Sequence, residues 1–353
     1  MIRVLVVEDS ATMRQRLRES VGTDPELVIV GEALDGGQAV RMCARLRPDV
    51  VTMDMILPTI SGLAATEQIM AQCPTPILVV SSADRQELFS TYDALAAGAV
   101  DVLEKPRGDA SDAGWGQRLR SSLRVVSRIR VVKPRCPRPE HPASGPAVPE
   151  PAARPGAAGV EVVAIGASTG GPSALTELLR ALPATFRTPL LCVQHMGASE
   201  PFAVAFSDWL AGQSGRPVSY AVDGMTVGEL GGRMVLAPPD RHLLLRAGRI
   251  RLSAGPPRHS CRPAVDVLFE SVADECGRAA AGCLLTGMGR DGAAGLLRMR
   301  ERGAVTFAQD EASSTVYGMP KAAAMLGAAG HVLSPAGIAA RIAGLHTVSG
   351  VRR

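Results

Sequence analysis

Val160-Glu-Val-Val-Ala-Ile-Gly-Ala-Ser168-Thr-Gly-Gly-Pro172 decides how the second half of this chain is read. An apolar, β-branched run feeds straight into a glycine turn. Pro172 then stands where a helix can open, because a helix's first turn leaves its amides unpaired and loses nothing to proline. Inside the stretch, Gly166-Ala-Ser168-Thr-Gly170 has the spacing G-x-S-x-G. That spacing sets a serine on a sharp strand-to-helix turn at a sheet edge, close to backbone N–H groups that can stabilise an oxyanion. The competing reading is a phosphate or dinucleotide loop. It is weakened because G-x-x-x-G-G lacks the G-x-G-x-x-G pattern and no acidic residue ends the next strand. The motif alone leaves nucleophile and anion loop both open.

Working outward, further strand-like runs fall at 189–194, 234–237, 282–286 and 305–308, with helical patterns between most of them and a small hairpin at 243–253. The first half alternates in the same way. Strand runs at 2–7, 28–30, 50–53, 77–80 and 100–103 are each followed by a helical pattern. Five βα units with apolar strands imply a parallel sheet covered on both faces. The expected fold is therefore α/β throughout: a flavodoxin-like five-unit sheet, then a second doubly wound, mostly parallel unit. Between them, residues 134–158 carry a proline every two to four positions, which denies the backbone donors a helix or ladder needs. The expected division is 1–126, a basic Pro-rich linker over 127–158, and 159–353.

Composition narrows the class. Of 353 residues, 46% are hydrophobic and 20% charged, as in ordinary globular proteins, while aromatics are only 3%. Seven cysteines, an odd number without a C-x-x-C or C-x-x-x-C pair, argue against a disulfide framework and against a zinc site. The N-terminal apolar run is too short for a signal-peptide core, and no stretch approaches the ~20 apolar residues of a membrane span. A cytoplasmic protein without membrane insertion is expected. The net charge of +4 is small, and its concentration at Arg128, Arg130, Lys133, Arg135 and Arg138 reads as a solvated helix end, not a nucleic-acid surface.

In the first half, chemistry-bearing residues recur at strand ends: Glu8 and Asp9 after the first, Asp54 after the third, Ser81 after the fourth, Lys105 after the fifth. At that edge of an open parallel sheet ligands bind. Clustered carboxylates repel one another and so hold a hard divalent cation, which suits phosphoryl transfer to a carboxylate nucleophile. The ordered set, closed by Lys105-Pro106, resembles a two-component receiver domain over residues 1–126. That resemblance implies that Asp54 accepts a phosphoryl group from a histidine kinase. It also implies that Glu8, Asp9 and Asp54 bind Mg²⁺ and that Ser81 and Lys105 sense the phosphoryl group. Receivers often carry an aromatic residue three positions before the lysine; here it is Val102.

In the second half, His195 follows the strand after Ser168, and Asp291 follows Leu284-Leu-Thr-Gly-Met-Gly-Arg290. Each alone reads as a structural histidine or a helix N-cap. Together they supply nucleophile, base and orienting carboxylate, in a chain order unlike that of the α/β-hydrolases. Six blocks, at 165–172, 193–196, 237–243, 262–269, 285–293 and 308–320, resemble the chemotaxis protein-glutamate methylesterases. The resemblance implies a triad of Ser168, His195 and Asp291, with Thr169 supporting His195 and the Met288 amide assisting the oxyanion. It leaves His242 structural, gives His259 and Cys192 no catalytic duty, and calls for no cofactor in this half. It further implies demethylation, and deamidation, of methylated chemoreceptors, with the receiver covering the cleft until Asp54 is phosphorylated. The rival is a response regulator whose second half is a non-catalytic partner- or nucleotide-binding module.

Overall fold

In the computed structural model, residues 1–82, 85–106, 108, 114–129, 131, 159–196 and 200–346 are described. Most of the expected linker lies outside them. The first sheet holds β1 (Ile2–Val7), β2 (Leu27–Ala33), β3 (Val50–Met53), β4 (Ile77–Ser81) and β5 (Asp101–Glu104), all parallel, in the order β2-β1-β3-β4-β5. Helices α1 (Ala11–Gly22), α2 (Gly36–Leu46), α3 (Gly62–Gln72), α4 (Arg85–Ala96) and α5 (Trp115–Val126) follow the strands. β3 and β4 are buried along their whole length, which explains their unbroken apolar reading. Ser10, Asp35 and Ser61 each accept from the amide three residues on and so open α1, α2 and α3. Strand order reverses between β1 and β3, the point at which ligands bind in open parallel sheets.

The second sheet is a seven-stranded parallel one. Its strands are β6 (Val162–Ala167), β7 (Leu190–Gln194), β8 (Val218–Tyr220), β9 (Met234–Leu236), β12 (Ala280–Leu284), β13 (Val305–Gln309) and β14 (His331–Leu333), in the order β14-β13-β12-β6-β7-β9-β8. A separate antiparallel hairpin joins β10 (His242–Arg246) to β11 (Arg249–Ser253). Helices α6 (Gly171–Ala181), α7 (Glu200–Ser214), α8 (Val265–Cys276), α9 (Ala293–Glu301), α10 (Met319–Met325) and α11 (Pro335–His346) complete it. The edge strands β8 and β14 have three residues each, too few for an alternation to be read from sequence.

The two units meet along α4 and α7. Only 3% of residues are aromatic, yet Tyr92, Phe206 and Trp209 gather here, with ring centroids 5.2–6.1 Å apart. Tyr92 Oη donates to the Phe202 carbonyl at 2.7 Å, and Trp209 Nε1 donates to Asp93 Oδ1 at 2.7 Å. Buried side chains of both units thus form one continuous apolar cluster.

Gly62, the first residue of α3, lies against the carbonyl of Asp54, and a Cβ there would collide with it. The Asp54 amide is itself tied to the Val7 carbonyl at 3.1 Å, so this backbone cannot readily move aside. Gly62→Ala is expected to destabilise the first unit by about 1–3 kcal/mol, read as a lowered urea midpoint with little change in m-value.

Candidate active site

The placement of the second site follows from strand order. β6 lies between β7 and β12, so the residues leaving the carboxyl ends of these three neighbours converge. Ala167 pairs in register with Gln194, which brings Ser168 and His195 out of the sheet side by side. The His195 amide donates to the Ala167 carbonyl at 2.9 Å and the Ser168 amide to the Thr286 carbonyl at 3.0 Å. Gly170, at φ 79°, takes the left-handed conformation that turns the chain into α6. Gly171 precedes Pro172, so the proline occupies the second helical position, not the first. Gly287 is pressed against Ser168 Cβ and the Met319 sulfur, which leaves no room for a side chain and brings the 285–289 loop, with Met288, beside the serine.

His195 Nε2 lies 2.9 Å from Asp291 Oδ2. Asp291 is buried and does not cap its own helix; α9 starts at Ala293 behind Gly292. Its carboxylate instead accepts the Val265 amide at 2.7 Å and the Asp266 amide at 3.0 Å, the first two positions of α8. Burial works to raise the Asp291 carboxyl, but the hydrogen bonds from His195 and from these two amides outweigh it and hold it below the usual range. For His195, burial opposes the charged form. Hydrogen bonds and charge from Asp291 and Cys261 overcome that and push it up to about 9.

Thr169 lines the same cavity as Ser168 and His195, and its carbonyl accepts the Thr286 hydroxyl at 2.9 Å. His242 is buried between the Pro256 carbonyl, 3.0 Å from Nε2, and the Ala264 amide, 3.2 Å from Nδ1. His259 pairs with buried Asp266 at 3.0 Å, and Cys192 is enclosed within β7, its thiol pushed far up by burial. Two residues of this site escaped the sequence reading. Gln194 Nε2 donates to the carbonyls of both Ser168 and His195, at 2.8 and 2.9 Å, and fixes the turn; its place at the end of a strand just before the histidine was the available signal. Cys261 enters from a loop nearly seventy residues away in sequence, with no spacing to announce it.

In the first unit, Lys105 Nζ lies 2.8 Å from Asp54 Oδ1 and 3.1 Å from Glu8 Oε2. Asp54 and Glu8 are buried, and Asp9 is exposed. Burial and then the Asp54 charge push Glu8 up to about 7, against the pull of Lys105, and burial likewise raises Asp54. One carboxylate oxygen from each of Glu8, Asp9 and Asp54 lies within 4.8 Å of the others. Three hard oxygen donors, with more negative charge than one lysine offsets, fit Mg²⁺. Ser81 is held from α4: Thr91 donates to its Oγ at 2.7 Å.

A cavity of about 360 Å³ joins the two units. Ser168, His195, Cys261 and Arg262 line one side; Tyr92, Leu95, Val102 and Glu104 line the other. The cavity thus brings a serine beside an imidazole that is paired with a buried carboxylate, roofed by the unit that carries Asp54.

Comparisons agree with both halves. The family model described as CheB methylesterase matches residues 163–342, and that of the response regulator receiver domain matches residues 4–111. A protein-glutamate methylesterase/protein-glutamine glutaminase of Anaeromyxobacter dehalogenans is 44% identical, over 97% of this chain and 98% of its own. One of Pseudomonas aeruginosa is 40% identical over 97% and 99%. Among solved structures, the Thermotoga maritima CheB methylesterase catalytic domain is 32% identical, covering 52% of this chain and 98% of its own, with a TM-score of 0.49.

A histidine held at about 9 instead of its ordinary 6.5 stays protonated across neutral pH. Its bond to Asp291 therefore adds stability that is whole below about 6.5 and is lost as pH rises through about 9. An NMR titration of the His195 ring is expected to show this midpoint. Asp291→Asn should return it toward the ordinary histidine range.

Proposed function

The chain belongs to the protein-glutamate methylesterase/protein-glutamine glutaminase family, and on that premise we propose that it hydrolyses glutamate methyl esters on chemoreceptors under the control of its own receiver. In this reading residues 1–126 regulate, 127–158 link and 159–353 catalyse. The observation that carries it is the His195–Asp291 pair beside Ser168, inside a cavity that receiver residues close.

His195 Nε2 is committed to Asp291, so Nδ1 is the ring nitrogen left to take the Ser168 proton. Ser168 Oγ attacks the γ-carbonyl of the ester, the carbonyl π electrons move to oxygen, and amides of the 285–289 loop, Met288 among them, stabilise the oxyanion. Collapse expels methoxide, which takes the proton from His195 and leaves as methanol. Water, deprotonated by the same imidazole, then releases the glutamate carboxylate. With a glutamine side chain the leaving group is ammonia. Thr169 positions the turn next to the base. Because the imidazole must be neutral to accept the proton, turnover of the resting protein rises with pH toward about 9.

In the receiver, Asp54 is the phospho-acceptor. Glu8, Asp9 and Asp54 would hold Mg²⁺, which supplies neutralisation of phosphoryl charge. Lys105 already contacts Asp54 and is placed to pair with a phosphoryl oxygen. A histidine kinase is the fitting donor. Ser81 is bonded to Thr91, the neighbour of Tyr92 and Asp93, which hold α7. A phosphoryl group that draws the Ser81 hydroxyl toward itself breaks this bond and shifts α4 at the junction. Val102 then needs no aromatic ring to pass the signal on.

Ser168→Ala is expected to lower methanol release from methylated receptor by about a thousandfold or more with folding intact; near-wild-type release would remove the serine from its role. Asp54→Asn should keep the basal rate and lose the response to a small phosphodonor.

Loosening the roof is the second test. Tyr92→Ala in the full chain, and the fragment 159–353, are both expected to release methanol several-fold faster than the unphosphorylated wild type at equal concentration. Rates at or below wild type would exclude inhibition by coverage.

A further inference from the structure

Cys261 stands in the cavity next to the base. It sits on a tight turn whose backbone pairs twice with Arg258, at 3.0 and 2.8 Å, so the thiol is presented from a fixed loop. Its sulfur, a His195 ring nitrogen and an Asp291 carboxylate oxygen all lie within 4.8 Å of one another. A tetrahedral zinc ion, with bonds of about 2.0 Å to nitrogen and oxygen and about 2.3 Å to sulfur, sets its ligands about 3.5 Å apart. Small side-chain movements of the three groups reach that separation. The cavity supplies room for a water as fourth ligand.

The geometry points to a zinc-binding site formed by His195, Cys261 and Asp291, through which a thiophilic divalent ion shuts off hydrolysis. One imidazole, one thiolate and one carboxylate with an open position suit Zn²⁺ and do not suit Mg²⁺, which demands oxygen ligands. The chain would therefore hold two divalent-ion sites of opposite character, hard oxygen in the receiver and mixed sulfur and nitrogen in the cleft. The lack of close cysteine pairs hid the second, because its ligands come from three separate loops. On binding, the Cys261 thiol proton and the His195 Nε2 proton are both released to solvent as the S–Zn and N–Zn bonds form. The ion binds on the Asp291 side of the ring, at Nε2; the single remaining ring proton then sits on Nδ1, which has no lone pair left to take the Ser168 proton. This inhibitory consequence rests on the catalytic roles proposed above; the binding itself does not. Asp291 also faces His259 and Asp266, a second trio within 4.8 Å that lacks sulfur.

The test uses the full chain, stripped of metal and then saturated with Mg²⁺. Zn²⁺ is titrated against a chromophoric chelator, and Co²⁺ is used in parallel for its spectrum. Wild type is expected to take up one Zn²⁺ despite excess Mg²⁺ and to show a thiolate-to-cobalt charge-transfer band. Cys261→Ser should lose the band and at least tenfold in Zn²⁺ affinity, whereas His259→Ala should keep both. Methanol release should fall in step with Zn²⁺ occupancy. A band that persists in Cys261→Ser, or binding lost in His259→Ala alone, would overturn the site. Full occupancy with unchanged turnover would overturn the inhibition. The spectroscopic arm stands even if Ser168→Ala proves active, so failure of this site and failure of the catalytic reading are separable.

Discussion

Everything in the catalytic half turns on one buried carboxylate. Asp291 accepts the imidazole of His195 and the two leading amides of α8. Those amides have no partner within their own helix, and the positive end of the helix favours a negative charge there. A single group thus closes a helix, anchors the loop between β12 and α9 and fixes the ring of His195. Burial alone would raise its pKa; hydrogen bonds from three donors outweigh that and hold it below the usual range. Removing its charge would leave two buried amides with a weaker acceptor as well as a histidine without a counter-ion, so structure and chemistry are coupled at this point.

The geometry that exploits this carboxylate comes from strand order. Neighbouring parallel strands deliver their carboxyl-terminal residues to one edge, and β7, β6 and β12 each deliver one member of the serine, histidine and aspartate set. The receiver solves a similar problem with β1, β3 and β5, whose ends meet around Lys105. The α4 helix is the mechanical bridge. Its Thr91 touches Ser81, while Tyr92 and Asp93, the next two residues, grip α7.

Much of this was legible in the amino-acid order because the informative residues are local to strands. Ser168, His195, Asp54 and Lys105 each follow an apolar run, and alternation of runs and helices implied two parallel sheets. What stayed hidden depends on contacts between distant segments. Asp291 reads as the orienting carboxylate, but its second task, accepting the leading amides of α8, is hidden because nothing local says that α8 approaches it. Cys261 and Gln194 act through neighbours that only folding supplies. The aromatic junction is carried by Tyr92, Phe206 and Trp209, each of which alone reads as ordinary core. Three-residue edge strands carry too little periodicity to register.

The shared cavity changes what inhibition means. Tyr92, Leu95 and Val102 line the same cavity as Ser168, on the side opposite it. In the proposed reading the receiver is then an internal rival for the substrate's seat, tethered at an effective concentration on the order of millimolar. A rival of this kind yields to mass action: substrate packed densely enough displaces it without any phosphoryl group. The degree of silence is therefore set jointly by the chain and by the crowding of its targets. In that reading phosphorylation would move the receptor density at which the enzyme wakes, and sparse receptors would leave it silent until a phosphoryl group arrives.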